Sequence, residues 1–576
     1  MGIERRLRGK QGLGREFFIH KSIAKFAEAI VLKFCHIGEQ ALLFPSSKAA
    51  IRCANFMQAR DASAQAVRII GLVLDLNQIT SETLRRLSPK ISAVIFPKAA
   101  FPAAKQYWQH SGDGISSRRA EFCHSLFDEG LLLEETTMGI LNGQERLFKG
   151  PKRYQRGGSI DKSLTQRYSH STKGAQAENH SGDAVSEVKE SSQFVEERFG
   201  RNMDVSQVDN AQSAIRRRIA GSLIDEVDLT VPLSTKMDTS VRGVATLSED
   251  DVYLYPCGMN AIFNAHQMLL TARGPMQSIC FGFPYIDTLK ILEKFGPGCL
   301  FYGNGVSEDL DDLERRLRSG ERYLALFCEF PSNPLLRSPD LQRIKRLAHT
   351  YGFGVVIDET VGNFINVHVL SFADIVVSSL TKIFTGECNV MGGSGILNPE
   401  GQYYYDLKRV AASQYENNYW AEDVIFMERN SRDFVTRIER VNRNAEVVCE
   451  VLRAHPLVKT VYYPKYVESR KYYDACRTPN GGYGGLLSVT FHQKKQAMAF
   501  FDHIETAKGP SLGTNFTLTS PYVILAHYSE LTWAASFGVD PDLVRMSIGL
   551  EDAQTLKDVV LSGLQAAAGG HTMNDA

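Results

Sequence analysis

The sequence predicts an α/β fold, with an open, mostly parallel sheet in a large domain and a smaller α/β domain after it. Three observations predict it. Short apolar runs alternate with helical patterns over long stretches of the chain, the mark of strands covered by helices. Two of these runs, FGVVIDET (353–360) and ADIVVSSLTK (373–382), are apolar strands that end on polar and charged residues. The 576 residues are 43% apolar and 23% charged, an ordinary globular composition with room for several domains at roughly 150 residues each.

An α/β extension of unknown role is expected over 1–148. Its elements are IAKFAEAIVLKF, ALLFP, KAAIRCANFMQ, AVRIIGLVLDL and SAVIFP in turn. No chemical motif stands out in it. HSGDGISSRR (110–119) reads as a solvated Gly/Ser turn rather than an anion-binding loop. Residues 149–192 hold almost nothing large and aliphatic. They cannot bury enough surface to offset the ordering entropy, so a disordered linker is expected. The third part, which holds the chemistry, follows and runs to about 567, with a tail at 568–576. A long charged helix is expected from Trp420 to Ala454.

Charge and composition exclude several partners. Lys+Arg and Asp+Glu both number 65, so no bulk positive field draws the chain to nucleic acid. No apolar run reaches the roughly 18 residues of a membrane span. The basic start MGIERRLRGKQG has no apolar stretch behind it, which argues against a secretory signal. Arg6 breaks the myristoylation pattern. The ten cysteines form no C-x-x-C pair, so no metal site is expected. Many sit in apolar runs, as reduced cysteines of a cytoplasmic protein do.

The chemistry is expected in one crevice. Ligands of open α/β sheets bind outside the carboxyl ends of parallel strands. Asp358 ends one strand; Ser379, Thr381 and Lys382 follow the end of the next. In YPCGMNAIFNAHQMLL the spacing of Met259, Ile262, Phe263 and Leu270 is helical, with Gly258 at the start. Free N–H groups at a helix start hold anions, and Ser379 and Thr381 can add hydroxyls. Pyridoxal phosphate (PLP) needs this combination: a lysine for its aldehyde, an acid for its ring nitrogen and fixed donors for its phosphate. Singly, each residue reads more simply as a strand cap, a surface lysine or a packing glycine. The joint order carries the inference.

With these residues in place, the chain resembles the PLP-dependent enzymes of cysteine and methionine metabolism, the cystathionine γ-synthase family. The motifs are ERFGRN (197–202), YPCGMNAI (255–262), EFPSNPLL (329–336), VVIDET (355–360), SSLTK (378–382), VMGGS (390–394), SLG (511–513) and LVRMSIGLED (543–552). FGFPYIDTLKILEKFGPG (281–298) and the long extension resemble the fungal branch. That branch carries more sequence ahead of the part similar to GREFFIHKSI, which implies either a shortened N-terminus or a mispredicted start site here.

The resemblance implies a fold type I PLP-dependent transferase, with an N-terminal arm at 193–240 that makes a dimer contact, the PLP-binding large domain at 241–435 and the C-terminal small domain at 436–567. It also implies roles. Lys382 forms the Schiff base and shuttles protons, and Asp358 pairs with the pyridinium nitrogen. Gly258, Met259, Ser379 and Thr381 hold the phosphate, and Arg201 reaches the phosphate of the neighbouring subunit. Tyr285 stacks on the ring, and Asn333 lies by the cofactor's phenolic oxygen and the substrate carboxylate. Arg545 clamps that carboxylate, and Ser511 orients the lysine. The implied assembly is a homotetramer of two dimers acting on small amino-acid substrates.

The implied reaction is γ-replacement on an O-acyl-L-homoserine, the O-acetyl ester in fungi, with cysteine giving L-cystathionine on the way to methionine. Sulfide or a carbon nucleophile, a γ-lyase reaction, and an idle regulatory homologue are the alternatives. The chain departs from the family pattern at four places. YIDT (285–288) stands for Y-G-G-T, Phe199 for a tyrosine, Cys257 for a serine and Glu359 for an asparagine.

Overall fold

The computed structural model describes residues 19–135, 205–223, 226–230, 233 and 240–569. The expected linker at 149–192 and most of the arm at 193–240, including Phe199 and Arg201, lie outside the described residues.

The N-terminal unit runs α1 (Lys21–Phe34), β1 (Glu39–Phe44), α2 (Ser47–Arg60), β2 (Arg68–Leu74), α3 (Glu82–Leu87), β3 (Lys90–Pro97), α4 (Phe101–Ser111), α5 (Ser117–Asp128) and β4 (Leu132–Glu135). Side chains alternate across a strand, and both faces of this sheet are covered. Leu43, Ile91, Ala93 and Ile95 face Phe26 and Ile30 of α1 and Cys123 and Leu126 of α5. Leu42, Phe44, Val94 and Phe96 face Cys53 and Met57 of α2 and Tyr107 of α4. The strand order is β1-β3-β2-β4, and every pairing is antiparallel. Helix–strand alternation predicted the elements but not their sense: β3 inserts between β1 and β2 and runs against both.

After α6 (Val208–Ala220) the large domain follows: β5 (Val252–Tyr255), α7 (Gly258–Arg273), β6 (Ser278–Phe281), α8 (Ile286–Lys294), β7 (Cys299–Tyr302), α9 (Ser307–Arg318), β8 (Ala325–Glu329), α10 (Leu341–Tyr351), β9 (Gly354–Asp358), β10 (Ile375–Ser378), β11 (Gly393–Leu397) and α11 (Tyr404–Gln414). The sheet order is β5-β11-β10-β9-β8-β6-β7. β7, β6, β8, β9 and β10 pair in parallel, and β11 alone runs against its neighbours. The central strands are buried on both faces, which is why they read as unbroken apolar runs.

The long helix expected from Trp420 to Ala454 is broken. α12 (Ala421–Asn430) and α13 (Phe434–Ala454) are separate. Asn430 turns its amide to Thr385 Oγ1 and Asn389 Oδ1, and Ser431 Oγ bonds back to Glu428 O. The Ser431 back-bond is the local kind that competes with helix continuation, whereas the Asn430 bonds reach segments 45 and 41 residues earlier.

The small domain comprises β12 (Val458–Tyr462), α14 (Arg470–Asp474), β13 (Leu486–Phe491), α15 (Lys494–His503), β14 (Ala507–Lys508), β15 (Leu518–Ser520), α16 (Tyr522–His527), α17 (Leu531–Ser536), β16 (Val544–Ser547) and α18 (Ala553–Gly569). Its sheet order is β12-β13-β16-β15-β14. α18 runs into the stretch expected as a tail at 568–576; beyond residue 569 nothing is described.

Candidate active site

β9 and β10 lie side by side in parallel, with Val377 opposite Asp358. Asp358 is the last residue of β9. Its carboxylate accepts the Thr360 N–H at 2.9 Å, and burial pushes its carboxyl pKa up. Beyond β10, the Ser379 N–H donates to Thr360 Oγ1 at 2.8 Å, which ties the two strand ends together. The chain then turns to Lys382, whose Nζ donates to Ser511 Oγ at 3.3 Å. Burial, and after it the charge of Arg545, pushes the Lys382 amine down to about 8.

α7 enters the same crevice. No side chain caps its start at Gly258, so its first N–H groups keep their donor capacity. Glycine is required there. A Cβ on Gly258 would lie 2.7 Å from Ser379 Cβ and 3.0 Å from Ser379 Oγ. The helix start is therefore seated directly on the residue that ends the lysine strand. Met259, half-buried, is next in the turn. Thr381 is held differently from the expectation. Its hydroxyl donates to Gly392 O at 3.2 Å and accepts the Gly392 N–H at 3.1 Å, so it fastens the lysine turn to the segment before β11.

A third group comes from β8 and the small domain. Glu329 pairs in register with Asp358. Its carboxylate accepts the Tyr285 N–H at the start of α8 and the Asn333 N–H at 3.1 Å. Asn333 Oδ1 accepts from Arg545 Nη1 at 3.2 Å, and Asn333 Nδ2 donates to the Tyr522 hydroxyl at 3.0 Å. Arg545 is buried on β16. Its Nη2 donates to Pro510 O at 2.5 Å and Ser511 O at 2.7 Å, and the guanidinium lies 4.2 Å over the Tyr522 ring. Ser511 thus touches the lysine through its hydroxyl and the arginine through its carbonyl.

Sequence reasoning missed Glu329, Thr360 and Tyr522. Glu329 carried the same signal as Asp358, an acid at the carboxyl end of a buried strand. Tyr522, in a short helix of the small domain, carried none.

Comparison with known proteins accounts for nearly the whole chain. Residues 234–565 match the model of the Cys/Met metabolism PLP-dependent enzymes. Residues 22–116 match the fungal trans-sulfuration enzyme N-terminal domain. The chain belongs to the Cys/Met metabolism PLP-dependent enzymes. Among its relatives, a cystathionine gamma-synthase of Neurospora crassa is 55% identical over 96% of this chain and 91% of its own length. A cystathionine gamma-synthase-like enzyme of Amanita muscaria is 39% identical over 96% of this chain and 89% of its own. A cystathionine gamma-synthase of Saccharomyces cerevisiae is 36% identical over the same 96%, and 92% of its own.

The chain is therefore a PLP-dependent enzyme of this family, with the family's fold type I architecture and small amino-acid substrates. Its residues fit the cofactor. Gly258 lets the uncapped N–H groups at the start of α7 sit directly against Ser379, Asp358 is a desolvated carboxylate suited to a protonated ring nitrogen, and Lys382 is an amine depressed toward neutrality. Three of the family departures have visible partners, the Asp287 of YIDT meeting His110 Nδ1 at 3.1 Å. Glu359, buried beside Asp358, is held by Arg242 Nη2 at 2.8 and 3.0 Å, and the Arg242 guanidinium lies 4.6 Å over Phe364. Cys257 sits under the N-terminal unit, its thiol 3.7 Å from Gly112 O.

That contact corrects the expectation of a solvated turn at HSGDGISSRR. Ser111, Asp113 and Arg119 are buried, because the segment is clamped between α7 and the rest of its own unit. Among the described residues, no helix is long and apolar enough to cross a membrane.

Proposed function

We propose that the enzyme catalyses γ-replacement on an O-acyl-L-homoserine, the O-acetyl ester, with L-cysteine, forming L-cystathionine and releasing acetate. The observation that carries this reading is the 55% identity to the Neurospora synthase, which extends through the N-terminal unit as well as the catalytic part. The geometry supports it. Gly258, Met259 and Ser379 would hold the PLP phosphate, Asp358 the ring nitrogen, and Tyr285 the ring face. Bound PLP supplies the electron sink that makes the donor's Cα–H and Cβ–H acidic.

The protein does the rest. Arg545, steadied by Asn333 and Tyr522, would take the donor's α-carboxylate in a charge-assisted pair suited to guanidinium. Lys382 Nζ, neutral in good part near pH 8, would take the Cα proton and then serve Cβ, and a flexible amine reaches both carbons from one face. The Cγ–O bond would break with loss of acetate, the cysteine sulfur, its thiol proton released, would bond to Cγ, and Lys382 would return one proton each to Cβ and Cα. Ser511 would keep the amine on that path.

The homotetramer implied by the family resemblance, with Arg201 crossing to a neighbour's phosphate, belongs to this proposal and is tested by light scattering. So does a cytoplasmic location, which the free and mostly buried cysteines support. The decisive experiment supplies the PLP-loaded protein with O-acetylhomoserine plus cysteine, plus sulfide, and alone, and identifies products by mass spectrometry. Cystathionine as main product is the expected result. Homocysteine or 2-oxobutanoate in its place would overturn the assignment in favour of a sulfhydrylase or a lyase.

A further inference from the structure

The N-terminal unit touches the catalytic part at several segments, among them Glu416, Lys294 and Asn418, and three further contacts lie at or next to the segments of the cofactor seat. The tightest contact is at α7. Asn260, two residues into the helix from Gly258, donates from Nδ2 to Asp113 Oδ1 at 2.8 Å and to Ser111 O at 3.0 Å. Asp113 is 3% exposed. Its other oxygen accepts from Arg52 Nη2 at 2.8 Å and Nε at 3.1 Å, and from the Tyr107 hydroxyl. Its N–H is held by Ser111 Oγ at 3.2 Å. Gly112 lies flat on the first turn of α7, with φ +64. A Cβ there would fall 2.7 Å from Cys257 Sγ and 2.8 Å from the Asn260 nitrogen.

The second contact joins His110 Nδ1 and Asp287 Oδ1 at 3.1 Å, two residues past Tyr285. In the third, Arg118 Nη2 donates to Asn389 O at 2.7 Å, in the stretch that follows Lys382, while Nη1 holds Asp423 at 2.8 Å.

We propose that the N-terminal unit is a fixed brace on the cofactor seat, and that Asp113 is the positioning residue through which it sets the phosphate end. The argument is geometric. A phosphate at the start of α7 is bound by N–H groups whose directions follow the roll of that first turn. Asn260 is part of the turn, and its side chain is locked to a carboxylate that is itself locked to Arg52 and Tyr107. A binding group held by a second rigid layer keeps its alignment; one left to its own helix end frays. No atom of Asp113 is called on to touch the cofactor. The proposal rests on the reading that the phosphate sits at Gly258 and Ser379.

The test separates positioning from general stability by using two ligands. Full-length protein freed of cofactor is titrated with pyridoxal phosphate and, separately, with pyridoxal, following tryptophan fluorescence. Asp113→Ala is expected to raise the Kd for pyridoxal phosphate about tenfold, the effect of a misaligned hydrogen bond to a charged group, and to leave pyridoxal unchanged. Asn260→Ala cuts the same link from the helix side and serves if Asp113→Ala does not fold. The double variant is expected to be no worse than either single one.

Equal weakening of both ligands, or no weakening of pyridoxal phosphate in a folded variant, overturns the proposal. Ser379→Ala locates a failure. If it too leaves the two ligands alike, the phosphate is seated elsewhere, and the proposal falls with the reading it rests on. If it discriminates between them and Asp113→Ala does not, the brace alone is wrong.

Discussion

Replacing Arg545 by alanine tests the substrate end of the site on two independent readouts. The guanidinium is buried, bonded to Pro510 O, Ser511 O and Asn333 Oδ1, and stacked over Tyr522. A carboxylate arriving there gains two charge-assisted hydrogen bonds, each worth about 1.5–3 kcal/mol. Losing about 3 kcal/mol raises the KM for the acyl-homoserine roughly a hundredfold. Arg545→Lys keeps a charge without the planar fork and is expected to fall between.

The second readout is pH. The Arg545 charge is the lesser of the two causes that hold Lys382 down to about 8, after burial. Without it the amine's pKa rises. Only the neutral amine accepts a proton, so the acid limb of the kcat profile moves to higher pH. Steady-state kinetics with O-acetylhomoserine from pH 6.5 to 9.5, on roughly half-unit steps, measures both. A donor KM unchanged within about twofold, with the limb unmoved, would refute the placement of the carboxylate and its coupling to the lysine together.

Lys382→Ala is expected to abolish product formation in the mass-spectrometric assay, since among the described residues no second amine bonds to Ser511 to move the protons. Gly258→Ala puts a methyl 2.7 Å from Ser379 Cβ. That forces the helix start away from Ser379 at a typical cost of about 1–3 kcal/mol, and equilibrium titration is expected to show a tenfold or larger rise in the Kd for PLP. Glu359→Gln strands the buried Arg242 guanidinium at a cost of about 3–5 kcal/mol, seen as a lower urea midpoint; an unchanged midpoint would mean that the pair contributes nothing to stability.

The half of the site carried by β9 and β10 was legible because both strands are buried on both faces. Such strands read as short apolar runs, and a polar residue at their carboxyl end is conspicuous. Asp358 and Lys382 are also only a strand, a connection and a turn apart, so local pattern sufficed. Arg545 and Ser511 were reachable only through the family resemblance. β16 reads Val-Arg-Met-Ser with every residue buried, and nothing in that run says that its arginine meets Asn333 more than two hundred residues earlier.

The misread loop failed for the same physical reason. Ser111, Gly112 and Asp113 have turn composition, and the burial of Ser111 and Asp113 depends on a helix that begins about 145 residues downstream. The broken helix at Asn430 is a mixed case. Its periodicity was sound; Ser431 bonds back locally to Glu428 O, but the Asn430 amide is held by Thr385 and Asn389, more than forty residues earlier.

The departures from the family pattern become intelligible once the neighbours are known. Asp287, inside the bulkier YIDT stretch, meets His110 of the N-terminal unit. Cys257, in place of a serine, meets Gly112 of that unit. Glu359, in place of an asparagine, meets Arg242, which also donates to Ile219 O at the end of α6. A buried Asp or Glu is tolerated only when paired, and at both positions the pairing group comes from a segment outside the seat. None of the three removes a group that the cofactor needs, since Gly258, Asp358, Ser379 and Lys382 keep their places. The changes therefore read as the inner half of interfaces. The catalytic part is shaped to receive the extension and the segment after α6, and a variant that restores the family residue at Asp287 or Glu359 is expected to lose stability before it loses chemistry.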